Sequence, residues 1–132
     1  MKIIVIGAVA AGTSAAAKAR RNSEDAQITI YEKDRFISYS GCGMPYFLGK
    51  EVATVEELTP LDPAFFRSIY NIEIKIRHEV LSIDPEKKTV MVKGLATGEV
   101  FSDSYDTLIL ATGARAVTPP IPGREGAHVF TL

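Results

Sequence analysis

The sequence holds a single cysteine, Cys42, inside the stretch "SYSGCGMPYF" that runs from Ser38 to Phe47. Glycines flank it, and Pro45 follows three residues on. If residues 43–49 form a short helix, Cys42 stands at its N-terminal end. Unpaired N–H groups and the positive end of the helix dipole then stabilise a thiolate and make the sulfur nucleophilic. Pro45 falls in the first turn, where its missing N–H is no loss. Gly41 and Gly43 leave room beside the sulfur for a flat ring system or a bulky disulfide. The structural alternative is a buried small hydrophobe. One thiol cannot store electrons as an internal disulfide. A redox role therefore requires an external partner, through either a mixed disulfide with a small thiol or a sulfenic acid.

A second group of residues points to a nucleotide. "GAVAAG" (residues 7–12) follows an apolar run and opens an alanine-rich one. Gly7 lets the chain turn tightly, Gly12 lets a helix pack close to a sheet, and the N–H groups of the first helical turn face a pyrophosphate. The middle glycine of the dinucleotide pattern is Val9 here, so the motif is incomplete. Glu32, 20 residues after Gly12, strengthens it. A carboxylate there accepts the hydroxyls of an adenosine ribose and repels the extra phosphate of NADP. The dinucleotide is NAD or FAD on these residues alone. A second strand-to-glycine turn, "LILATGA" at 108–114, lets the backbone of Thr112 and Gly113 approach a flavin dinucleotide closely. The structural alternatives are a plain strand–helix turn, a surface carboxylate and an ordinary strand exit.

The elements that must position these residues follow from pattern. "KIIVI" (2–6) is a short β-branched run, as in a strand buried on both faces. "AVAAGTSAAAKARRN" (8–22) has strong helix propensity, with basic residues at its C-terminal end. "QITIYE" (27–32) is a second strand, and strand–helix–strand predicts a parallel pair with a right-handed crossover. Asp62-Pro63 reads as an N-cap and first helical residue, opening a helix through about Tyr70. "IEIKI" (72–76) alternates. Residues 78–84, 88–94 and 99–105 are short strands with tight turns, an antiparallel meander. "DTLILATG" (106–113) is another buried strand. The remainder is proline-rich, and "HVFTL" at its end reads as the start of another element. The predicted fold class is α/β, a parallel sheet with an antiparallel three-stranded meander inserted at about 78–105.

Bulk properties narrow the function. The 132 residues suffice for one domain with a core. A net charge of −1 gives no broad attraction to nucleic acid or anionic membrane. The run "KARR" (18–21) reads as a solvated helix face. One cysteine excludes an internal disulfide and a multi-thiolate zinc site, and no metal site is predicted. No secretory signal and no membrane-length apolar run is present, which fits a cytoplasmic protein.

Taken together, "IVIGAVAAGTSAAAKARR", "ITIYEKDRFISYSGCGMPYFLG", "EVLSIDPEKKTVMV" and "LILATGARAVTPPIPG" resemble the amino-terminal FAD domain of single-cysteine pyridine nucleotide-disulfide oxidoreductases. Coenzyme A disulfide reductase is the nearest type, with NADH oxidase and NADH peroxidase beside it. The resemblance covers essentially the whole chain. It implies a Rossmann-like FAD-binding domain in which Gly7, Val9, Ala10, Ala11 and Gly12 line the pyrophosphate. Glu32 would hold the adenosine ribose with Lys33 beside it, and Val80 would meet the adenine through its backbone. Ala111, Thr112 and Gly113 would close over the cofactor. Cys42 would be the redox centre beside the flavin, with Ser38 nearby.

The resemblance also implies NAD(P)H as co-substrate and a small disulfide, such as that of coenzyme A, as substrate. Two departures bear on this. Oxidase and peroxidase members usually carry histidine where this chain has Ala10, and its absence favours disulfide or polysulfide reduction over peroxide chemistry. Family members also continue with an NAD(P)H domain, a return to the FAD domain and a dimerisation domain, and they form homodimers. Residues 1–132 then read as a partial FAD-binding domain, inactive by itself and weak in FAD binding. The alternatives are an NADH oxidase or peroxidase working through a Cys42 sulfenic acid, and a non-catalytic nucleotide-binding module.

Overall fold

The computed structural model describes residues 1–131. Four strands form a parallel sheet in the order β3-β2-β1-β7. They are β1 (Lys2–Ile6), β2 (Gln27–Tyr31), β3 (Glu73–Lys75) and β7 (Thr107–Leu110). β1 is central because it is apolar on both faces. Ile3, Ile4 and Val5 are all buried, and Ile4 is registered against Thr29 on one side and Leu108 on the other. A sheet strand covered on both faces favours such a continuous β-branched run.

The three-stranded meander is a separate sheet, β4 (His78–Asp84), β5 (Thr89–Gly94) and β6 (Val100–Ser104), in that order. Its pairing is antiparallel, with an irregularity between Val80 and Ser82. This is the predicted architecture, and the predicted strand 2–6 matches to the residue. The alternating segment at 72–76 joins the parallel sheet as its edge rather than the meander. Ile72 and Ile74 turn one apolar face toward the helices and are buried there.

The layers follow from the two apolar faces of the parallel sheet. One face packs on α1 (Ala10–Asn22) and α3 (Pro63–Tyr70), with Ala16, Ile28, Ile30 and Phe66 in the shared core. The other face packs on the meander through Ile4, Tyr31, Val90 and Val92. α3 begins as predicted: the Asp62 carboxylate accepts the Phe65 N–H at 2.8 Å, and Pro63 takes the first position. It ends at Asn71 in the left-handed region (φ 49°).

Two helix starts differ from the sequence expectation. α1 begins at Ala10, not Ala8, because both backbone groups of Ala8 are engaged elsewhere. Its N–H donates to Glu32, and its carbonyl accepts the Ser38 N–H. The predicted helix at 43–49 forms as α2 (Met44–Leu48), preceded by a 3₁₀ turn, Gly41–Gly43, that holds Cys42. Residues 128–131 form no helix or strand, and Leu132, the last residue of the element expected there, lies outside the described residues. Among the described residues, no helix is long and apolar enough to cross a membrane.

Candidate functional site

The glycine turn after β1 is a close-packed joint. Gly7 has φ +103°, and a Cβ there would lie 2.2 Å from the Ala111 carbonyl oxygen. At Gly12 a Cβ would lie 1.8 Å from the Gly7 carbonyl oxygen. The first turn of α1 therefore sits directly on the end of β1. Its N-cap is Val9, and no side chain caps its amides. The first N–H groups of a helix have no intrahelical partner, and these open on the end of the parallel sheet.

The second glycine turn arrives at the same place through strand pairing. β7 runs parallel to β1 with Ile6 opposite Leu110, and the Ala111 N–H donates to the Ile6 carbonyl at 2.9 Å. Ala111, Thr112 and Gly113 (φ +72°) thus emerge beside Gly7. Two motifs about a hundred residues apart in the chain become the two lips of one cleft.

Glu32 closes the far end. Its side chain is buried, with one carboxylate oxygen accepting the Ala8 N–H at 2.8 Å and the other accepting the Asp34 N–H at 2.9 Å. An ionised carboxylate has about four acceptor positions, so two backbone bonds orient it and leave capacity for ligand hydroxyls. The Glu32 carbonyl accepts the His78 N–H at 2.9 Å, which brings the start of β4 to the same end. The His78 ring is fixed in turn by a 2.8 Å hydrogen bond between Nδ1 and the Ile76 carbonyl.

Between these groups lies a cleft of about 800 Å³, within the ~300–1,000 Å³ usual for cofactor sites. Of the residues singled out in the sequence, Gly7, Val9, Glu32, Lys33, Val80, Ala111, Thr112 and Gly113 line it. Ala10 and Ala11 are exposed on the first turn of α1, and Gly12 is buried beneath that turn. Ser38 does not line the cleft. Its N–H ties the following loop to the glycine turn, at φ 51°.

Cys42 is exposed in the 3₁₀ turn and is also outside the lining. Its neighbours Tyr39, Met44 and Phe47 do reach the cleft. Tyr31, Phe36, Leu58 and His78 line it too and were not anticipated. Tyr31 had a usable signal, since it directly precedes Glu32 on a strand end. Phe36 comes from a loop, Leu58 from a 3₁₀ turn and His78 from the start of β4, and no local pattern reveals that these meet at the cleft. Among the described residues, no group of three or more His, Cys, Asp or Glu side chains could hold a metal ion.

Beneath the cleft the parallel sheet is tied to the meander. The Tyr31 hydroxyl donates to Asp103 at 2.8 Å, and the Lys2 ammonium pairs with the same carboxylate. Burial raises the Tyr31 hydroxyl far above its ordinary pKa, and its hydrogen bond to Asp103 adds to the rise. Burial pushes the Asp103 carboxyl up. The hydrogen bonds from Lys2 and Tyr31 outweigh that and hold it below the usual carboxylate value.

The sequence matches the family model described as pyridine nucleotide-disulphide oxidoreductase over residues 1–132. It is 43% identical over 131 residues to a coenzyme A disulfide reductase of Staphylococcus haemolyticus, a match covering 99% of this chain and 29% of that protein. Its structure is similar to an NAD-dependent persulfide reductase from A. fulgidus (TM-score 0.86, 39% identity, 95% of this chain and 23% of the other). It is also similar to the water-forming NADH oxidase of Lactobacillus brevis (TM-score 0.84, 34% identity, 96% and 28%). The chain thus spans less than a third of the length of each of these relatives. With that match along its whole length, the chain belongs to the pyridine nucleotide-disulphide oxidoreductase family.

Proposed function

We propose that this chain is the FAD-binding part of a flavin-dependent NAD(P)H:disulfide oxidoreductase that reduces the disulfide of coenzyme A, or a related polysulfide, through Cys42. The observation that carries the reading is the single cleft formed by the uncapped start of α1, the clamped Glu32 and the Ala111–Gly113 turn. These groups suit a dinucleotide. Gly7 and Gly12 leave no room for a Cβ where the backbone turns under the pyrophosphate, and the first-turn amides favour its charge. Glu32 would take the adenosine ribose, Lys33 would lie beside it, and Val80 would meet the adenine. Ala111, Thr112 and Gly113 would cover the cofactor, with Ala10 and Ala11 on the phosphate side and Ser38 near the sulfur.

FAD, when bound, supplies the capacity to accept a hydride from NAD(P)H and to pass two electrons to sulfur. The chain's own part is nucleophilic. The Cys42 thiolate attacks one sulfur of the substrate disulfide, the S–S bond breaks, and one thiol leaves after taking up a proton. The second half stays on Cys42 as a mixed disulfide. Two electrons and a proton, ultimately from NAD(P)H, release it and restore the thiolate. Exposure of Cys42 permits that attack, and the flanking glycines keep bulk away from it.

The likeness to an NADH oxidase supports a second reading, in which Cys42 cycles through a sulfenic acid. Ala10, exposed at the first residue of α1, offers no acid or hydrogen-bond donor for peroxide there, and this favours the disulfide. The test is NAD(P)H oxidation by the enzyme carrying this chain, with coenzyme A disulfide, oxygen or peroxide as acceptor. Cys42→Ser should abolish disulfide reduction yet leave loss of flavin colour on adding NAD(P)H intact. Equal turnover of the Ser variant with the disulfide would refute the role of Cys42. Faster turnover with oxygen or peroxide would favour the second reading.

A further inference from the structure

The adenosine end of the cleft has walls from two different sheets. Glu32 directly follows β2 of the parallel sheet, whereas His78 and Val80 belong to β4 of the meander. Their separation depends on how the two sheets are fastened. We infer that Asp103 is a positioning residue for the nucleotide: by binding Tyr31 and Lys2 together, it holds the meander wall at a set distance from Glu32. The inference rests on the nucleotide reading given above.

Two side chains of the parallel sheet converge on this one carboxylate. Lys2 comes from the start of β1 and Tyr31 from the end of β2. The Tyr31 ring spans the underside of the meander. Its centroid lies 6.2 Å from that of His78 on β4 and 6.3 Å from that of Phe101 on β6, and the Lys75 ammonium sits 5.9 Å from it. The ring is buried and itself lines the cleft, and the next residue is Glu32. A change in the tilt of Tyr31 is therefore transmitted both to the ribose carboxylate through the backbone and to His78 through ring contact. Asp103 does not itself line the cleft, so it acts on a ligand through the groups it holds, chiefly Tyr31, the lining residue it bonds. The raised tyrosine and lowered aspartate keep the hydroxyl protonated and the carboxylate ionised across the neutral range, which maintains the bond under working conditions.

The test uses this chain, with ADP as the probe of the adenosine and pyrophosphate positions, read by calorimetry at a temperature where every variant is folded. Tyr31→Phe removes only the hydroxyl, and Asp103→Asn removes the charge at constant shape. Each should raise the ADP Kd by about threefold to tenfold, the range expected for one hydrogen bond. The double variant should be little worse than either single change, because both cut the same link. Phe66→Leu, a core change on the opposite face of the sheet, should lower Tm yet leave the Kd unchanged. A Kd unchanged in Tyr31→Phe and Asp103→Asn, or raised equally by Phe66→Leu, overturns the positioning role. If the unaltered chain fails to bind ADP, the nucleotide reading falls and takes this inference with it.

Discussion

Substituting Gly12 by alanine probes the joint on which the site is built. A Cβ at this position would lie 1.8 Å from the Gly7 carbonyl oxygen, 2.9 Å from the Gly7 carbonyl carbon and 3.3 Å from Val5 Cγ1. The two nearest atoms are backbone and cannot rotate away. To reach a tolerable carbon–oxygen contact of ~3.3 Å, α1 must lift off the sheet by about 1.5 Å along that line. Overpacking of this kind costs about 1–3 kcal/mol, and rigid backbone on one side places the case at the upper end. Alanine returns at most about 1 kcal/mol through its better helix propensity. The net expectation is a loss of about 2 kcal/mol, which at a urea m-value of about 2 kcal/mol/M lowers the unfolding midpoint by about 1 M. The assay is urea unfolding followed by far-UV circular dichroism. Gly98→Ala serves as the reference. Gly98, unlike the helical Gly12, has a left-handed φ, +77°, and a Cβ there meets nothing within 4 Å. Only the backbone strain of about 1 kcal/mol applies, and its midpoint should fall by about half as much. A Gly12→Ala chain with an unchanged or raised midpoint would refute the argument that α1 is seated on the Gly7 carbonyl.

Three further outcomes follow. Glu32→Gln keeps the side-chain size but replaces one accepting oxygen with a donor, so either the Ala8 or the Asp34 N–H loses its partner. The expected loss is about 1–3 kcal/mol in thermal or urea unfolding, together with weaker ADP binding, and unaltered stability would contradict the clamp. Cys42 is exposed, so iodoacetamide should label the folded chain readily, with no need for unfolding. Cys42→Ser should change stability by no more than about 0.5 kcal/mol, and labelling that occurs only after unfolding would mark the thiol as structural. Asp103 has a folded-state pKa below its ordinary 3.8, so its contribution is present above that value and is lost as pH falls through the folded one. Tyr31 is raised above 10.0, so its contribution is present below pH 10 and is lost as pH climbs through the folded value. Stability against pH should therefore have an acid limb that Asp103→Asn flattens and an alkaline limb that Tyr31→Phe flattens. Limbs identical to those of the unaltered chain would count against the bond.

Much of this protein was determined by residues close together in the sequence. The β-branched run of β1, the Asp62-Pro63 helix start and the three short strands with tight turns each express a local preference, and each forms within a residue or two of its predicted limits. Gly7, Gly12 and Glu32 were legible for the same reason, because a strand–glycine–helix turn and a carboxylate at the next strand end are repeats of local geometry. The tertiary structure alone decided which distant groups meet. Parallel pairing of β1 with β7 sets Ala111–Gly113 beside Gly7, and no periodicity in either segment names its neighbour. The Ala8 carbonyl accepts the Ser38 N–H from a distant loop instead of an intrahelical amide, and α1 starts only at Ala10. Tyr31 finds Asp103 across 72 residues only because the meander folds back over the sheet. Cys42 drew notice from its flanking glycines, but its distance from the cleft lining depends on the packing of the 39–58 loop. Hydrogen bonds and apolar contacts between distant segments depend on all the elements at once, and a pattern read along the chain carries no record of them.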